Sequence, residues 1–508
     1  MKKTARILII ALAALVLAGI VFWRWFTSTS DREHVTVAMP RNIQWLDTGL
    51  SDEDRLIWHH LPEGSELAPL SVLEALHSPR TGKPFLYSLA DYGFLLESED
   101  PHKLPIGWST HLREIGQHKV PFIGINCAAC HTGEIQYRGN TLRIDGAPNL
   151  FSLEDFFIDL RAAISEATTN RSARFKFVRD VIRLNHDAEN EGEFFEISPA
   201  AFALLHSVDE ADGFTPEEQR THDAVADAMA HGSTNADKNP DKILSAAPPP
   251  ANAQHEQKLR EIVKVVVQTA EYIHRRLQML GTLAHAIDSG VELGPGRGDS
   301  FGIIRDLVFS FDGIQLDAPV STPHLFNFGE YNWLHWDGNT TSVMQRNVAQ
   351  AIALGADYDP LTRRTSALPY NLHHLETVAR KIKAPAWPET ILGPIDRAKA
   401  ANGKAHFQQA RCAECHSSEK VYSLEEVGTS PVRAANFAFT LAGVPFHEQL
   451  AVFAANTEAV LVRDQNISAE VAAKLEPGKP EWRATKGYIA RSLHGTWASA
   501  PYLHNGSV

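Results

Sequence analysis

The chain has 508 residues, of which 44% are hydrophobic and 21% are charged. These are the proportions of a folded protein with room for more than one core, which excludes a wholly disordered chain and a small disulfide-stapled domain. The formal net charge is −13, from 48 Lys and Arg against 61 Asp and Glu. Because no long basic run accompanies it, we expect no nucleic-acid partner.

The N-terminal region has the pattern of a membrane anchor or an export signal. Basic residues precede an uncharged apolar run, residues 7–23, which as a helix would rise about 25 Å, near the thickness of a bilayer core. The aromatic residues Trp23, Trp25 and Phe26 end it, as expected at a membrane interface. The sequence predicts an N-terminal membrane helix within residues 1–30 and a periplasmic location for the rest. A cleaved signal and a buried helix are the alternatives.

Shifts in composition divide the remaining chain. Residues 50–169 are rich in aromatic side chains, whereas residues 170–257 are rich in Ala, Asn, Asp and Glu and are interpreted as an insertion or linker. Residues 258–390 are predicted to be connecting helices that complete a first module, and residues 391–508 a second module. Helical periodicity recurs, with an apolar stripe along residues 258–287 that predicts one helix, and alternation of period two is scarce, so we predict a mostly α fold.

The four cysteines of the chain form two pairs with the same spacing. Cys127, Cys130 and His131 fit C-x-x-C-H, and so do Cys412, Cys415 and His416. In this pattern two thiols can bond to the two vinyl groups of one porphyrin, and the next residue can bind the iron through its imidazole. The sequence therefore predicts two covalently bound c-type haems, each in a cytochrome c-like module. The rival interpretations are a zinc site, a thioredoxin-like redox pair and a structural disulfide.

The second axial ligand of each iron is harder to predict. Apart from Met1 the chain has four methionines, but it has 24 histidines. His335 and His504 lie in unusual surroundings, the first between two tryptophans and the second in a stretch of Pro, Tyr, Asn and Gly. Our candidate iron ligands are therefore His131 and His416, from the two motifs, and His504.

Four stretches of the sequence resemble one protein family. They are residues 126–133 (NCAACHTG), 143–148 (RIDGAP), 333–339 (WLHWDGN) and 493–507, which reads L-x-G-x-W-x-x-A-P-Y-L-H-N-G-S. With the two C-x-x-C-H sites, they resemble the bacterial di-haem cytochrome c peroxidase superfamily, and more closely its rubber-oxygenase-like branch.

The resemblance implies different roles for the two haems. The haem on His131 would meet the oxidant, and the haem on His416 would pass electrons. Trp336 would lie between the haems and shorten the path for electron transfer. Gln350 would be the acid/base or polarising residue above the reactive iron.

Three functions are compatible with this pattern. The first is reduction of hydrogen peroxide, with electrons from a small cytochrome c or cupredoxin. The second is a haem-dependent dioxygenase acting on an apolar substrate, for which Phe326, Phe328, Tyr331 and Trp333 would line a channel. The third is a non-catalytic di-haem electron carrier.

Overall fold

The computed structural model describes residues 39–99, 103–115, 118–187, 197–208, 214–232, 239–245, 252–288, 291–309, 317–416 and 419–508. Within these ranges no helix is both long enough and apolar enough to cross a membrane. The predicted N-terminal membrane helix therefore finds no support in the fold, and the segment on which that prediction fell, residues 1–30, lies outside the described residues.

α-Helices account for about half of the described residues. The helices are α1 (Asp52–His60), α2 (Leu70–Ala75), α3 (Cys127–His131), α4 (Leu153–Thr168), α5 (Arg171–Asp187), α6 (Pro199–His206), α7 (Pro216–Gly232), α8 (Pro240–Ser245), α9 (Ala253–Asp288), α10 (Ser300–Phe309), α11 (Val343–Ala353), α12 (Pro369–Ala379), α13 (Glu389–Leu392), α14 (Arg397–Gln409), α15 (Cys412–Cys415), α16 (Leu424–Val427), α17 (Val432–Ala438), α18 (Phe446–Asp464) and α19 (Ala469–Leu475). Short 3₁₀ helices span Phe85–Tyr92, Phe328–Glu330 and Thr496–Ala498.

Small β-sheets accompany the helices and correct the prediction of a mostly α fold. The strands are β1 (Ile43–Trp45), β2 (Ala68–Pro69), β3 (Trp108–Ile115), β4 (His118–Ile125), β5 (Thr132–Tyr137), β6 (Asn140–Asp145), β7 (Arg297–Gly298), β8 (Val320–Ser321), β9 (Val421–Ser423), β10 (Thr440–Leu441), β11 (Val444–Pro445) and β12 (Gly487–Ile489). Two sheets have three strands, in the orders β2-β4-β3 and β1-β6-β5. Most of these strands are too short to produce the alternation that reveals a strand in a sequence.

The first C-x-x-C-H helix, α3, connects the two three-stranded sheets. β4 pairs with β3 from Trp108 opposite Ile125, and β5 pairs with β6 from Thr132 opposite Asp145. α3 fills the gap between the end of β4 and the start of β5. Its position is therefore fixed by two hydrogen-bonded ladders, one on each side.

The region 170–257 contributes helices that pack on the rest of the protein. α7 and α4 both lie against the long helix α9, which the sequence pattern placed at residues 258–287. Phe175 of α5 and Met229 of α7 are fully buried in the larger hydrophobic core. Since these helices bury large apolar side chains, they form part of that core, and the division of the chain into modules and an insertion stays a prediction.

The first motif helix packs against a glycine that no other residue could replace without displacement. Gly107 has φ +79°, and a Cβ there would lie 2.0 Å from the backbone nitrogen of Ala129. Its carbonyl accepts a hydrogen bond from the Asn126 amide at 2.7 Å. The backbone of the motif helix thus lies so close to Gly107 that there is no room for a side chain at this position.

Replacing Gly107 with Ala should both destabilise the protein and reduce haem attachment at Cys127 and Cys130. Gly82 is the matched control, because it has φ +67° but a Cβ there meets no described atom within 4 Å. The left-handed backbone alone costs about 1–2 kcal/mol for Ala, so G82A should show that cost and G107A a clearly larger one. Thermal denaturation and haem mass per chain measure the two effects. Equal losses in both variants would contradict this account.

Candidate functional site

Hydrogen bonds hold the first motif helix at both ends. The buried Asn126 side chain accepts from the Ala128 amide at 2.9 Å and donates to the carbonyls of Trp58 and Leu61. At the other end, the His131 carbonyl accepts from the Gly146 amide at 2.7 Å. The stretch 143–148 therefore closes the C-terminal end of the motif, and this explains why it accompanies C-x-x-C-H in the sequence.

His131 is oriented as a metal ligand. Its Nδ1 lies 2.9 Å from the carbonyl oxygen of Pro323, to which it donates, so that Nε2 keeps its lone pair. Burial, followed by the charge of Arg346, lowers the pKa of His131 to about 3. The ring is therefore neutral at physiological pH, which is the form that binds iron.

His416 repeats this arrangement in the second motif. Its Nδ1 lies 2.7 Å from the carbonyl oxygen of Arg491, so Nε2 is again the nitrogen left for a metal. The motif follows α14, and the Glu414 carbonyl accepts a hydrogen bond from the Tyr422 hydroxyl at 3.0 Å. Two motifs far apart in the chain thus have the same donor arrangement around their histidines.

Each motif opens onto a cavity. The first cavity has a volume of about 1020 Å³, including its open mouth, and is lined by Cys130 and His131. An adjoining space of about 480 Å³ shares these two residues and is also lined by Cys127. The second cavity, about 1370 Å³ on the same measure, is bounded by Cys415 and His416. Both cysteines of the first motif, and Cys415 of the second, therefore border a space beside a histidine whose Nδ1 is held by a carbonyl.

The structure removes two of the rival interpretations of the cysteines. All four are free thiols rather than disulfides. Among the described residues, no set of three or more His, Cys, Asp or Glu ligand atoms at either motif converges closely enough to hold a metal ion, so neither motif is a zinc site by itself. The donor set and the adjoining cavities fit a c-type haem, which would be held by the thiols and the histidine.

A short segment, residues 321–323, separates the two cavities and lines both. The Pro323 carbonyl holds His131, and the Ser321 carbonyl accepts a hydrogen bond from Trp336 Nε1 at 3.1 Å. The Ser321 amide donates to the His504 carbonyl at 2.9 Å. Trp336 itself also lines both cavities, and its place between two haems stays a prediction.

Polar side chains from α11 face the first cavity. Arg346 and Gln350, one helical turn apart and so on the same face, both line this cavity and the adjoining space. Arg346 Nε contacts His335 Nε2 at 3.4 Å, and His335 Nδ1 lies 2.8 Å from Asn339 Oδ1. Because both ring nitrogens of His335 have partners, this histidine is placed to orient Arg346 rather than to bind iron.

The second cavity contains the other histidine singled out by the sequence. His504 is buried, lines the cavity together with His416, and stacks on Tyr488 with ring centroids 4.1 Å apart. Burial, followed by the charge of Arg433, lowers the pKa of His504 to about 4. A neutral imidazole facing His416 across one cavity is suitable as a second axial ligand, and that role remains a prediction.

The aromatic channel expected for an apolar substrate is not assembled from the predicted residues. Phe328 lines the space adjoining the first cavity, but Phe326 packs in the smaller core. Tyr331 and Trp333 lie under the guanidinium groups of Arg491 and Arg483, respectively. Three of the four residues therefore have structural contacts elsewhere.

Sequence reasoning missed several groups at the site. Pro323 and Arg491 act through backbone carbonyls, which leave no signal in residue type. Glu63 is buried beside Cys127, whose thiol donates to it at 3.4 Å, and burial raises the pKa of Glu63 to about 7. Arg346 could have been found, because its spacing of four residues from Gln350 on a predicted helix puts both on one face.

Comparison with known proteins relates the chain to haem proteins. Residues 487–508, which include Arg491 and His504, match the family model described as RoxA-like, cytochrome c-like. This match supports a rubber-oxygenase-like cytochrome relationship and a c-type haem, and therefore a haem-dependent oxidoreductase or a cytochrome. It does not extend to the wider di-haem peroxidase superfamily.

Two curated proteins of Sinorhizobium fredii (strain NBRC 101917 / NGR234) are similar to the chain. The uncharacterized protein y4iJ is 24% identical, with 100% of this chain and 86% of that protein covered. The uncharacterized protein y4iM is 29% identical, with 37% of this chain and 41% of that protein covered. No solved structure matches the chain.

The two motifs predict two haems that can be removed one at a time. In a host that matures c-type cytochromes, the chain should carry the mass of two porphyrins. A C127S/C130S variant and a C412S/C415S variant should each carry one. Mass spectrometry of the intact chain measures this number. A wild-type chain with one porphyrin or none would contradict the assignment.

Proposed function

We propose that the chain is a two-haem oxidoreductase of peroxidase type, which reduces hydrogen peroxide at the first cavity with electrons that arrive through the second. The observation that carries the proposal is the pair of carbonyl-anchored histidines, His131 and His416, whose cavities share Trp336 and residues 321–323 as lining. A c-type haem at each motif would supply one-electron redox chemistry and, where an axial position is open, a place for a small oxidant to bind.

The residues of the first cavity are suited to a polar oxidant. The Arg346 guanidinium provides positive charge and hydrogen-bond donors, which stabilise negative charge that develops on oxygen as an O–O bond breaks. The Gln350 amide can donate to one oxygen and accept from another. His335, anchored by Asn339, keeps Arg346 directed along the cavity wall.

The electron balance requires both sites. Reduction of one hydrogen peroxide to two water molecules consumes two electrons and two protons, and each haem can supply one electron. The donor that restores these electrons would be a small cytochrome c or cupredoxin, taken up at the second site and, in our proposal, located in the periplasm. Trp336 would connect the two sites, because its aromatic ring would shorten the distance that an electron must tunnel between them.

Replacing Trp336 with Leu should slow electron transfer between the sites by about tenfold, which corresponds to about 1.4 kcal/mol in the barrier. Stopped-flow reduction followed by peroxide addition would measure the rate at which the second haem is reoxidised. W333L is the matched control, because Trp333 is three residues away and packs on Arg483. Equal rates in W336L and the wild type would show that Trp336 is only a packing residue.

Replacing Arg346 with Met should lower kcat/KM for hydrogen peroxide by about 10²–10³, the usual effect of removing one donor that stabilises developing negative charge. Reduction of the second haem by the donor should stay unchanged. R364M is the control, because Arg364 lies on the surface and pairs with Asp464. Wild-type peroxide turnover in R346M would contradict the role of Arg346.

A second function is favoured by the RoxA-like match and by the apolar part of the first cavity, which includes Phe151, Phe301 and Ile304. On this alternative the first site would bind dioxygen and cleave an apolar substrate. Peroxide turnover with a reduced cytochrome should therefore be assayed beside oxygen uptake with polyisoprene. Oxygen uptake without peroxide turnover would replace the peroxidase proposal, and activity in neither assay would leave the chain as an electron carrier.

A further inference from the structure

We propose that His59, His60 and Glu97 form a binding site for a divalent transition metal such as Zn²⁺, separate from the two C-x-x-C-H motifs. The two histidines are the last residues of α1, and Glu97 lies in the loop that follows the 3₁₀ helix Phe85–Tyr92. One ligand atom from each of the three residues lies within 4.8 Å of the other two. The fold thus brings two imidazoles and a carboxylate from separate elements to one point.

The contacts within this cluster are short and converge on one carboxylate. His59 Nδ1 lies 2.6 Å from Glu97 Oε1, and His60 Nε2 lies 2.7 Å from Glu97 Oε2. The opposite nitrogens also have partners: His59 Nε2 lies 2.8 Å from Asp145 Oδ1, and His60 Nδ1 lies 3.1 Å from the Trp108 carbonyl oxygen.

Counting protons shows what the cluster lacks. Asp145, the Trp108 carbonyl and Glu97 are all acceptors, so a neutral ring with one N–H can donate either to its outer partner or to Glu97, but not to both. If the N–H groups point to the outer partners, the inner nitrogens present lone pairs to Glu97. With neutral rings, a single cation between the three groups would satisfy every one of these lone pairs. Without a metal ion, the same contacts require extra protons on the cluster.

The outer partners resemble those that orient metal-binding histidines. A histidine that binds a metal usually donates its other N–H to a carboxylate or a backbone carbonyl, and here His59 has the first kind of partner and His60 the second. Asp145 is itself buried and accepts from Arg55 Nε at 3.0 Å, which fixes the orientation of its carboxylate. Two histidines and one carboxylate form a common donor set for Zn²⁺ and other divalent transition metals.

Electrostatics and access also favour a cation at this point. Two carboxylates lie against the buried ring of His59: Asp145 is 2.8 Å from Nε2 and Glu97 is 2.6 Å from Nδ1. These negative surroundings would attract a metal ion. The side chains of His60 and Glu97 remain about 30% exposed, which leaves a route from solvent. A bound metal would fasten the Glu97 loop to the end of α1.

The test uses the full haem-loaded chain. The protein is first treated with a chelator, then dialysed against Zn²⁺ and finally against metal-free buffer. The zinc content per chain is measured, and the iron content is measured alongside it to give the number of haems. We expect one zinc per wild-type chain. H60A and E97Q, which each remove a ligand, should bind at least about tenfold more weakly, and D145N, which removes the outer partner of His59, about 10–100-fold more weakly. H111Q is the control, because His111 pairs with the carboxylate of Glu66 at 3.0 Å without a second histidine.

A local measurement keeps the test valid if a variant does not fold. In the wild-type chain, Zn²⁺ should slow hydrogen exchange in the peptides that contain α1 and Glu97, and should leave the peptides of α18 unchanged. No zinc retained by the wild type, equal retention in H60A and E97Q, or no zinc-dependent protection at α1 would each overturn the proposal. These results do not depend on turnover, so failure of the peroxidase proposal would leave them unaffected.

Discussion

The arrangement of both cavities depends on one stretch of backbone, residues 321–323. Its carbonyl at Pro323 fixes the ring of His131, its carbonyl at Ser321 fixes Trp336, and its amide at Ser321 fixes the carbonyl of His504. These three hydrogen bonds connect the first motif, the aromatic ring between the cavities and the far wall of the second cavity. A displacement of this segment would therefore change both sites together.

Arg491 forms the reciprocal connection. Its carbonyl fixes His416, while its guanidinium donates to the carbonyl of His335, which precedes Trp336. Each cavity thus contains a backbone group that orients its own histidine and is tied to the segment carrying Trp336. Because a tunnelling path is sensitive to distance, this double attachment would keep the indole fixed relative to both motifs.

The parts of the site that were predictable are those carried by residue type. The spacing of Cys127, Cys130 and His131 predicted that two thiols and an imidazole lie at one site, and Cys130 and His131 do line one cavity. The segment around Trp336 stood out because of its aromatic residues. The partners of the histidines were not predictable, because Pro323 and Arg491 act through carbonyls that every residue possesses and lie 192 and 75 positions away in the chain. The short strands were missed for a related reason, since the pairing of two or three residues is decided by tertiary contacts.

A helix was easier to predict from the sequence where its apolar stripe was long. The stripe along residues 258–287 predicted most of α9, because a long amphipathic pattern has few alternatives. The region 170–257 was interpreted from its polar composition as an insertion or linker. Its helices nevertheless bury residues such as Phe175 and Met229. The apolar residues of α5 and α7 are interspersed with charged ones, so the overall composition of the region conceals the apolar face of each helix.

The two cavities are lined by different side chains. This difference is a physical reason for the two sites to have different roles. The cavity of His416 is also lined by His504, a buried neutral imidazole that could serve as a further iron ligand at that site. The first cavity instead has Arg346 and Gln350, which bind a small polar ligand better than they bind iron. His335 does not change this balance, because Asn339 and Arg346 occupy both of its nitrogens. Under the proposed function, a small oxidant would therefore bind in the first cavity rather than in the second.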